Sequence, residues 1–273
     1  MVSARQAVFE LCTMLKLGGV EDTAFEAKEI FREVTGKIPL LSDEITQEQL
    51  GEMLLLGKRR AEGIPLQYLF GKWEFFGLPF FVGEGVLIPR PETELLAQLA
   101  IDELKNGGNN MLDLCSGTGC VAVSVAKNTS AKVYAVELYD EAYSYLERNI
   151  IENKADVTAV KGDALDAALL SGQTFSVITA NPPYLTRREM DELQREVRRE
   201  PETALFGGDD GLDFYRRLIP LWSGRLEENG VLAFEVGDGQ AEAVKSLLEN
   251  EALRAEILPD FQGIGRVVFG RKM

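Results

Sequence analysis

The residues of this chain that are best suited to chemistry form the run Asn181-Pro182-Pro183-Tyr184, directly after the apolar stretch 176–180. The two prolines fix the chain and remove backbone donors, which leaves the Pro182 carbonyl and the Asn181 side-chain oxygen as paired hydrogen-bond acceptors. If each acceptor receives one hydrogen of a planar NH₂ group, the nitrogen of that group is held in one orientation, and the Tyr184 ring can pack flat on it. The run therefore predicts Asn181, Pro182 and Tyr184 as catalytic residues, and all four residues as a binding segment for an amide or amino nitrogen of the substrate.

Three carboxylates, Asp113, Glu137 and Asp163, lie at or just after the ends of successive predicted strands. Because ligands of open parallel sheets bind beyond the carboxyl ends of the strands, we expect these side chains to face one site. Glu137 comes about twenty residues after the first strand, where nucleotide-binding folds place an acid on ribose hydroxyls. Asp113 could meet an ammonium group, and the Gly162-Asp163-Ala164 run could accept the exocyclic amine of adenine.

The turn after the first of these strands reads Asp113-Leu-Cys-Ser-Gly117-Thr-Gly119. Its glycines allow a ligand to approach the backbone closely, but a third glycine at the dinucleotide-binding spacing is missing. An adenosyl amino acid therefore fits better than a pyrophosphate, and we predict S-adenosylmethionine as the cofactor and methyl transfer as the reaction. A strand-to-helix turn without a ligand is the alternative. The predicted cofactor-binding residues are Asp113, Cys115, Ser116, Gly117, Thr118, Gly119, Glu137, Asp163, Ala164 and Asn181.

Histidine is absent from all 273 residues. A serine-histidine-carboxylate triad, a histidine-bearing zinc site and an imidazole general base are therefore excluded. The three cysteines, Cys12, Cys115 and Cys120, form no Cys-x-x-Cys pair, so that neither a disulfide framework nor a metal site is expected. The chemistry must rely on positioning, on carboxylates or on a cofactor.

The formal charge of −15, from 29 Lys and Arg against 44 Asp and Glu, repels a phosphate backbone on average. A local basic cluster, in which arginines alternate with acids, is more typical of a solvated helix face than of a substrate groove. No stable nucleic-acid binding is therefore expected. The members of the cluster are Arg187, Arg188, Arg195, Arg198 and Arg199.

Membrane segments are not expected, because the apolar runs are far too short to span a bilayer. Residues 1–15 alternate charged and apolar side chains at helical spacing, unlike the apolar core of a signal peptide. We expect a cytoplasmic protein.

The first part of the chain has the periodicity of three amphipathic helices and no strand pattern. Ser3 and Asp22 can cap the first two helices, and Thr46 with Gln49 can form a capping box for the third. Residues 1–72 are predicted to be a helical domain that recognises the substrate. Residues 73–90 are aromatic and β-branched around glycines, which predicts a β-hairpin linker.

Residues 91–273 alternate strand and helix patterns, which predicts an α/β fold with a Rossmann-like sheet and helices on both faces. Two further strands, at 254–258 and 266–270, should lie antiparallel at the edge. The predicted buried strands are residues 111–114, 133–136, 157–160, 177–180 and 231–236, with helices beginning near Thr118, Asp140, Leu212 and Gln240.

The chain resembles class I S-adenosylmethionine-dependent methyltransferases that act on amide or exocyclic nitrogens, through the residues described above. Within that class it resembles the protein-glutamine N5-methyltransferases of peptide chain release factors, the PrmC/HemK family, over nearly its whole length. The supporting runs are Gly63-Ile-Pro-Leu-Gln-Tyr68, Phe75-Phe-Gly77, Val86-Leu-Ile-Pro-Arg-Pro-Glu-Thr-Glu94, Glu200-Pro201 and Leu205-Phe-Gly-Gly-Asp-Asp-Gly-Leu212.

The resemblance implies methylation of the glutamine side-chain amide in the Gly-Gly-Gln motif of class 1 release factors, which would be the partners of the chain. It places the cofactor loop on residues 115–119, the ribose acid on Glu137 and the substrate clamp on residues 181–184. Two positions depart from the family's usual residues. Glu137 stands where an aspartate is common, and Ala164 stands where an aromatic is common, which puts an adenine contact at Ala164 in doubt.

Two other functions fit parts of the same pattern. A nucleic-acid base methyltransferase would use the same pair of acceptors on an amino group of adenine or cytosine after base flipping. A non-enzymatic adaptor would keep the cofactor fold for binding alone, although the presence of Asn181, Asp113 and Glu137 argues against it.

Overall fold

The chain folds into two units in the computed structural model, which describes residues 1–40 and 42–273. The first unit contains Met1–Gly71 and Gln194–Arg199, and the second contains Lys72–Leu193 and Glu200–Met273. The short segment Gln194–Arg199 therefore belongs to the helical unit, although it is far from it in sequence. In the part of the chain that the structure describes, no helix is both long enough and apolar enough to cross a membrane.

Helices dominate the first unit, and the predicted caps are confirmed. Ser3 accepts the Gln6 N–H, Asp22 accepts the Phe25 N–H, and Thr46 and Gln49 form the reciprocal capping box. A pair of two-residue antiparallel strands was not predicted, because two residues are too few to show an alternating pattern. The elements are β1 (Val2–Ser3), α1 (Ala4–Leu17), α2 (Thr23–Thr35), β2 (Glu44–Ile45), α3 (Gln47–Ala61) and α4 (Leu66–Phe70).

The core of this unit combines apolar faces of the three long helices with one buried ion-pair network. Arg60 is only 4% exposed and contacts Glu26 at 2.6 Å and Glu196 at 2.7 Å. Arg195 donates to the backbone carbonyls of Ala61 and Glu62, which are free at the end of α3. Charged residues of the segment Gln194–Arg199 thus hold it against α3. The basic cluster that includes Arg195 was predicted to be a solvated helix face, with a substrate groove as the alternative. Neither interpretation predicts that Arg195 binds the end of α3.

The second unit begins with the predicted hairpin, β3 (Lys72–Phe75) and β4 (Leu78–Phe81). Its turn residues Phe76 and Gly77 both have positive φ, of 53° and 70°, as a tight hairpin turn requires. Asn149 accepts the Phe81 N–H and donates to the Phe81 carbonyl, so that a buried amide anchors the hairpin. A 3-10 turn at Pro91–Thr93 then leads into α5 (Glu94–Lys105).

A seven-stranded sheet follows and confirms the predicted α/β fold. Its strand order is β10-β11-β9-β8-β5-β6-β7, with parallel pairing from β9 to β7 and antiparallel pairing of β11 and β10 at one edge. The elements are β5 (Asn110–Leu114), α6 (Cys120–Asn128), β6 (Lys132–Glu137), α7 (Asp140–Asn153), β7 (Val157–Lys161), β8 (Phe175–Ala180), α8 (Arg187–Glu192), α9 (Asp213–Ser223), β9 (Leu226–Glu235), α10 (Ala241–Asn250), β10 (Arg254–Pro259) and β11 (Gly265–Arg271).

Two apolar layers cover the faces of this sheet. Met111 and its neighbours pack with α5, α6 and α7, whereas Leu112 and its neighbours pack with α9 and α10. The prediction that β7 is buried was wrong, since its residues are half-buried or exposed. The reason is its place at the open edge of the sheet, which the apolar run alone did not reveal.

Candidate active site

The ends of the parallel strands open into a cavity of about 270 Å³ within the second unit. The strand order reverses at β5, because β6 and β7 lie on one side of it and β8 and β9 on the other. Such a reversal leaves a crevice beyond the carboxyl ends of the strands, where ligands of open sheets bind. The predicted site residues that line the cavity are Asp113, Cys115, Ser116, Gly117, Thr118, Glu137, Asp163, Ala164, Asn181 and Pro183, whereas Gly119, Pro182 and Tyr184 do not line it.

The glycine turn between β5 and α6 combines an open and a packed glycine. A Cβ on Gly117 would have only Val86 near it, at 3.9 Å, so this position is open toward the cavity. Gly119 has a φ of 77°, and its Cβ would lie 2.4 Å from a side-chain carbon of Leu146. Gly119 is therefore needed for close packing of the turn, and direct cofactor contact by Gly119 stays a prediction.

Glu137 fastens this turn to the end of β6. Its carboxylate accepts the Gly117 N–H at 2.8 Å, the Leu138 N–H at 2.8 Å and the Tyr139 N–H at 2.9 Å. A carboxylate has about four acceptor positions, so these bonds leave capacity for a ligand hydroxyl. The structure thus gives Glu137 a role in shaping the turn beside its predicted role toward ribose.

Asp113 is the most deeply buried of the three predicted carboxylates, at 2% exposed. Burial raises its pKa to about 7, although hydrogen bonds from Thr179 and Ser116 oppose this shift. The pKa of the nearby Cys115 thiol is raised by burial and then by the charges of Glu137, Asp113 and Asp163. The cavity therefore concentrates negative charge, which fits a cationic ligand and disfavours a pyrophosphate.

Asn181 begins the segment at the end of β8, and its side-chain nitrogen donates to the Thr93 hydroxyl at 3.3 Å. Thr93 also lines the cavity, although sequence reasoning assigned it no role. Glu235, at the end of the neighbouring strand β9, is buried beside both residues. The local sequence does not link Thr93 or Glu235 to Asn181. Thr93 lies in the 3-10 turn before α5 and Glu235 lies at the end of β9, so only the tertiary fold brings them to Asn181.

The Tyr184 ring packs against the loop after β9, where a Cβ on Gly237 would lie 3.0 Å from a ring carbon. Burial is the main cause that raises the pKa of Tyr184. Its backbone carbonyl accepts the side-chain amide of Gln240 at 2.9 Å. Stacking of Tyr184 on a substrate stays a prediction.

The run 205–212 packs against the segment 183–185. Leu185 donates to the Leu205 carbonyl at 2.8 Å and accepts the Gly207 N–H at 2.9 Å. A Cβ on Gly207 would lie 2.6 Å from both the Pro183 carbonyl oxygen and the Tyr184 Cα. Residue 207 must therefore be glycine for this loop to seat against the binding segment.

The runs 86–94 and 200–201 pair with each other. Glu200 is buried, accepts the Ile88 N–H at 2.9 Å and forms an ion pair with Arg90. Pro89, Arg90 and Pro201 line the cavity. This ion pair therefore fixes one wall of the site.

Comparison with known proteins gives one match to a part of the chain and further matches to nearly all of it. Residues 92–206 match the family model described as Methyltransferase small domain. Curated proteins named Release factor glutamine methyltransferase are similar over most of their length. The one from Thermodesulfovibrio yellowstonii is 38% identical over 90% of this chain and 92% of its own, and the one from Moorella thermoacetica is 36% identical over 97% of each.

Solved structures share the fold at low sequence identity. A methyltransferase from Pyrococcus furiosus superposes with a TM-score of 0.53 at 21% identity, covering 72% of this chain and 90% of its own. The human Mettl16 catalytic domain, solved in complex with an RNA hairpin, has a TM-score of 0.58 at 17% identity, covering 79% of this chain and 81% of its own. At these identities the two structures support the fold alone.

We predict that Glu137→Ala weakens S-adenosylmethionine binding by about 2 kcal/mol, or about 30-fold in Kd, because ribose hydroxyls and the Gly117 N–H lose a charged acceptor. Isothermal titration calorimetry measures this directly. Asp156→Ala, which removes an exposed carboxylate outside the cavity, is the matched control and should leave Kd unchanged. An unchanged Kd for Glu137→Ala would remove Glu137 from the cofactor site.

Gly207→Ala should lower the free energy of unfolding by about 1–3 kcal/mol, because the added methyl group meets backbone atoms that cannot move aside cheaply. Urea titration followed by circular dichroism gives the value. Gly224→Ala is the control, since none of the described atoms lies within 4 Å of its added Cβ. Equal stability of the two variants would contradict the close packing at Gly207.

Proposed function

The chain belongs to the family of release factor glutamine methyltransferases, and from this premise we propose that it methylates the side-chain amide nitrogen, N5, of the glutamine in the Gly-Gly-Gln motif of class 1 release factors. The strongest support is the identity to relatives named for this activity, which spans 90% of this chain in the case of the Thermodesulfovibrio protein. The activity belongs in the cytoplasm, where release factors act on ribosomes.

The cavity fits S-adenosylmethionine through the charge and shape of its walls. Asp113 would meet the ammonium group, Glu137 the ribose, and the open backbone at Gly117 would allow close approach. Asp163 also lines the cavity and would meet the adenine amine. When bound, the cofactor supplies an activated methyl group on a sulfonium leaving group.

The task of the protein is to orient a poor nucleophile, since the lone pair of an amide nitrogen is delocalised into its carbonyl. The Asn181 side-chain oxygen and the Pro182 carbonyl would each accept one N–H of the substrate glutamine. These acceptors stabilise the positive charge that develops on nitrogen and hold the nitrogen in line for attack on the methyl group. The methylated nitrogen then loses one proton to solvent. The catalytic effect is therefore electrostatic preorganisation together with proximity.

Recognition of the intact release factor is the proposed task of the helical unit. A tripeptide motif offers few atoms to bind, so that specificity for a whole protein needs a second surface. The helical unit offers a groove on α1 with apolar side chains next to Arg5 and Lys28. Phe9 lies in this groove and is 70% exposed, and exposed aromatic side chains are common anchors of protein interfaces.

We expect the purified chain to add one methyl group to the Gly-Gly-Gln peptide of a class 1 release factor, as measured by mass spectrometry after incubation with S-adenosylmethionine. Asn181→Ala should react about 10² to 10³ times more slowly, because one acceptor of the developing charge is lost, while its cofactor affinity stays nearly intact. Parallel incubations with DNA and RNA test the base-methylation alternative. Transfer to nucleic acid and none to release factor would overturn the proposal.

Phe9→Ser should reduce kcat/KM for the intact release factor by about tenfold and leave kcat/KM for a short Gly-Gly-Gln peptide within about twofold, because only the intact protein reaches the groove. Steady-state kinetics on both substrates provide the measurement. Ile151→Ser removes a side chain on α7 that is 76% exposed, and it should change neither value. Equal losses on protein and peptide would mean that Phe9 supports the fold and does not bind the partner.

A further inference from the structure

Glu235 is a buried carboxylate at the end of β9 that the reaction described above does not use. Glu235 is 1% exposed, and the Oε2 atom of its side chain has no hydrogen-bond partner among the described residues. Its backbone carbonyl is satisfied by the Tyr215 hydroxyl at 2.8 Å. Burying a carboxylate oxygen without a hydrogen-bond partner destabilises the fold. A functional role of Glu235 would explain why a carboxylate stands at this position.

Strand pairing brings this carboxylate to the catalytic amide. In the parallel ladder, Ala180 of β8 is paired with Phe234 of β9. Glu235, the last residue of β9, therefore lies beside Asn181, which follows β8 directly. The Thr93 hydroxyl and the Asn181 side-chain amide face the Glu235 carboxylate and favour its charged form. The Asn181 side-chain nitrogen also lies 3.3 Å from the Thr93 hydroxyl oxygen. The three side chains therefore form one network, in which Thr93 and Glu235 are buried and Asn181 is half-buried.

The two ends of the Asn181 amide have the same shape and opposite hydrogen-bonding roles. An ionised carboxylate only accepts hydrogen bonds, so the NH₂ end of the amide must face Glu235 and Thr93. The Thr93 hydroxyl can accept from Asn181 and pass its own hydrogen to Glu235. The amide oxygen of Asn181 is then left for the cavity, and polarisation along the network makes it a stronger acceptor.

We propose that Glu235 is a positioning residue, which acts with Thr93 to fix the orientation of the Asn181 amide so that its oxygen accepts an N–H of the substrate glutamine. This inference rests on the proposed function, because it gives Asn181 the task of holding that nitrogen. It adds the end of β9 to the ends of β5, β6, β7 and β8, which carry the other predicted site residues.

The network should respond to pH because its key acceptor titrates. Burial is the main cause that raises the pKa of Glu235 to about 7, and the charge of Glu92 raises it further. The side chains of Thr93 and Asn181 and the charge of Arg266 lower it. Cys120, Tyr184 and Tyr215 also face its charge. Below this pKa the protonated carboxyl can donate, so the Asn181 amide is free to turn. We therefore expect kcat to rise with pH through about 7.

The test is Glu235→Gln in the full-length chain, because the glutamine amide can donate or accept and no longer selects one orientation of Asn181. We expect kcat on release factor to fall about 10- to 100-fold, with KM and cofactor Kd within about twofold, and the part of the pH dependence due to Glu235 to disappear. Glu235→Asp, which keeps a carboxylate, should recover part of kcat. Glu256→Gln on β10 removes an exposed carboxylate and is the control.

A double-mutant cycle with Asn181→Ala separates positioning from general support of the fold. If Glu235 acts through Asn181, Glu235→Gln should cost little kcat in a chain that already carries Asn181→Ala. A loss as large as in the wild-type background would overturn the inference, as would an unchanged kcat or pH profile in Glu235→Gln alone. A wild-type chain that does not methylate release factor would overturn the proposed function first.

A second pair of variants covers the case in which Glu235→Gln does not fold. Thr93→Val removes the hydroxyl that links Asn181 to Glu235, whereas Thr93→Ser keeps it. A lower kcat for Thr93→Val than for Thr93→Ser, at similar KM, supports the network. Equal kcat for the two variants would contradict it.

Discussion

Burial of negative charge at the ends of parallel strands is the constraint on which the site depends. Asp113 and Glu235 are both nearly inaccessible, and burial raises the pKa of each to about 7. Glu137, also buried, accepts three backbone N–H groups. The cofactor side of the site is thus prepared for a cation, because a positive ligand relieves an electrostatic cost that the folded chain already carries.

The binding segment 181–184 is held from several directions by groups that take no part in the chemistry. Gln240 binds the Tyr184 carbonyl, and Gly207 packs against the backbone of Pro183 and Tyr184. Methyl transfer to an amide depends on the orientation of a weak nucleophile, and small displacements of the acceptors would reduce the rate. In the proposed function, rigid support of this short segment therefore contributes to catalysis.

The two units divide recognition from chemistry in the proposed function. The helical unit has its own core, and the buried Arg60 ties Glu26 to Glu196 within it. The chain therefore enters this unit twice, at Met1–Gly71 and at Gln194–Arg199. In that second segment Glu196 pairs with Arg60, and Arg195 donates to the carbonyls at the end of α3, so these two charged residues serve the architecture of the unit.

The sequence by itself determined the local elements and the chemical class of the site. The sequence signals of these features involve residues only a few positions apart, so they can be recognised without the tertiary structure. They are the caps at Ser3, Asp22 and Thr46, the strand patterns and the Asn181 run. Tertiary structure alone decided that β7 is an edge strand and that Thr93 and Glu235 reach Asn181. Strand order sets the edge position of β7, and strand register places Glu235 beside Asn181, whereas the 3-10 turn at Pro91–Thr93 brings Thr93 to them. These segments are far apart in the chain, and contacts between distant segments leave no pattern along any one of them.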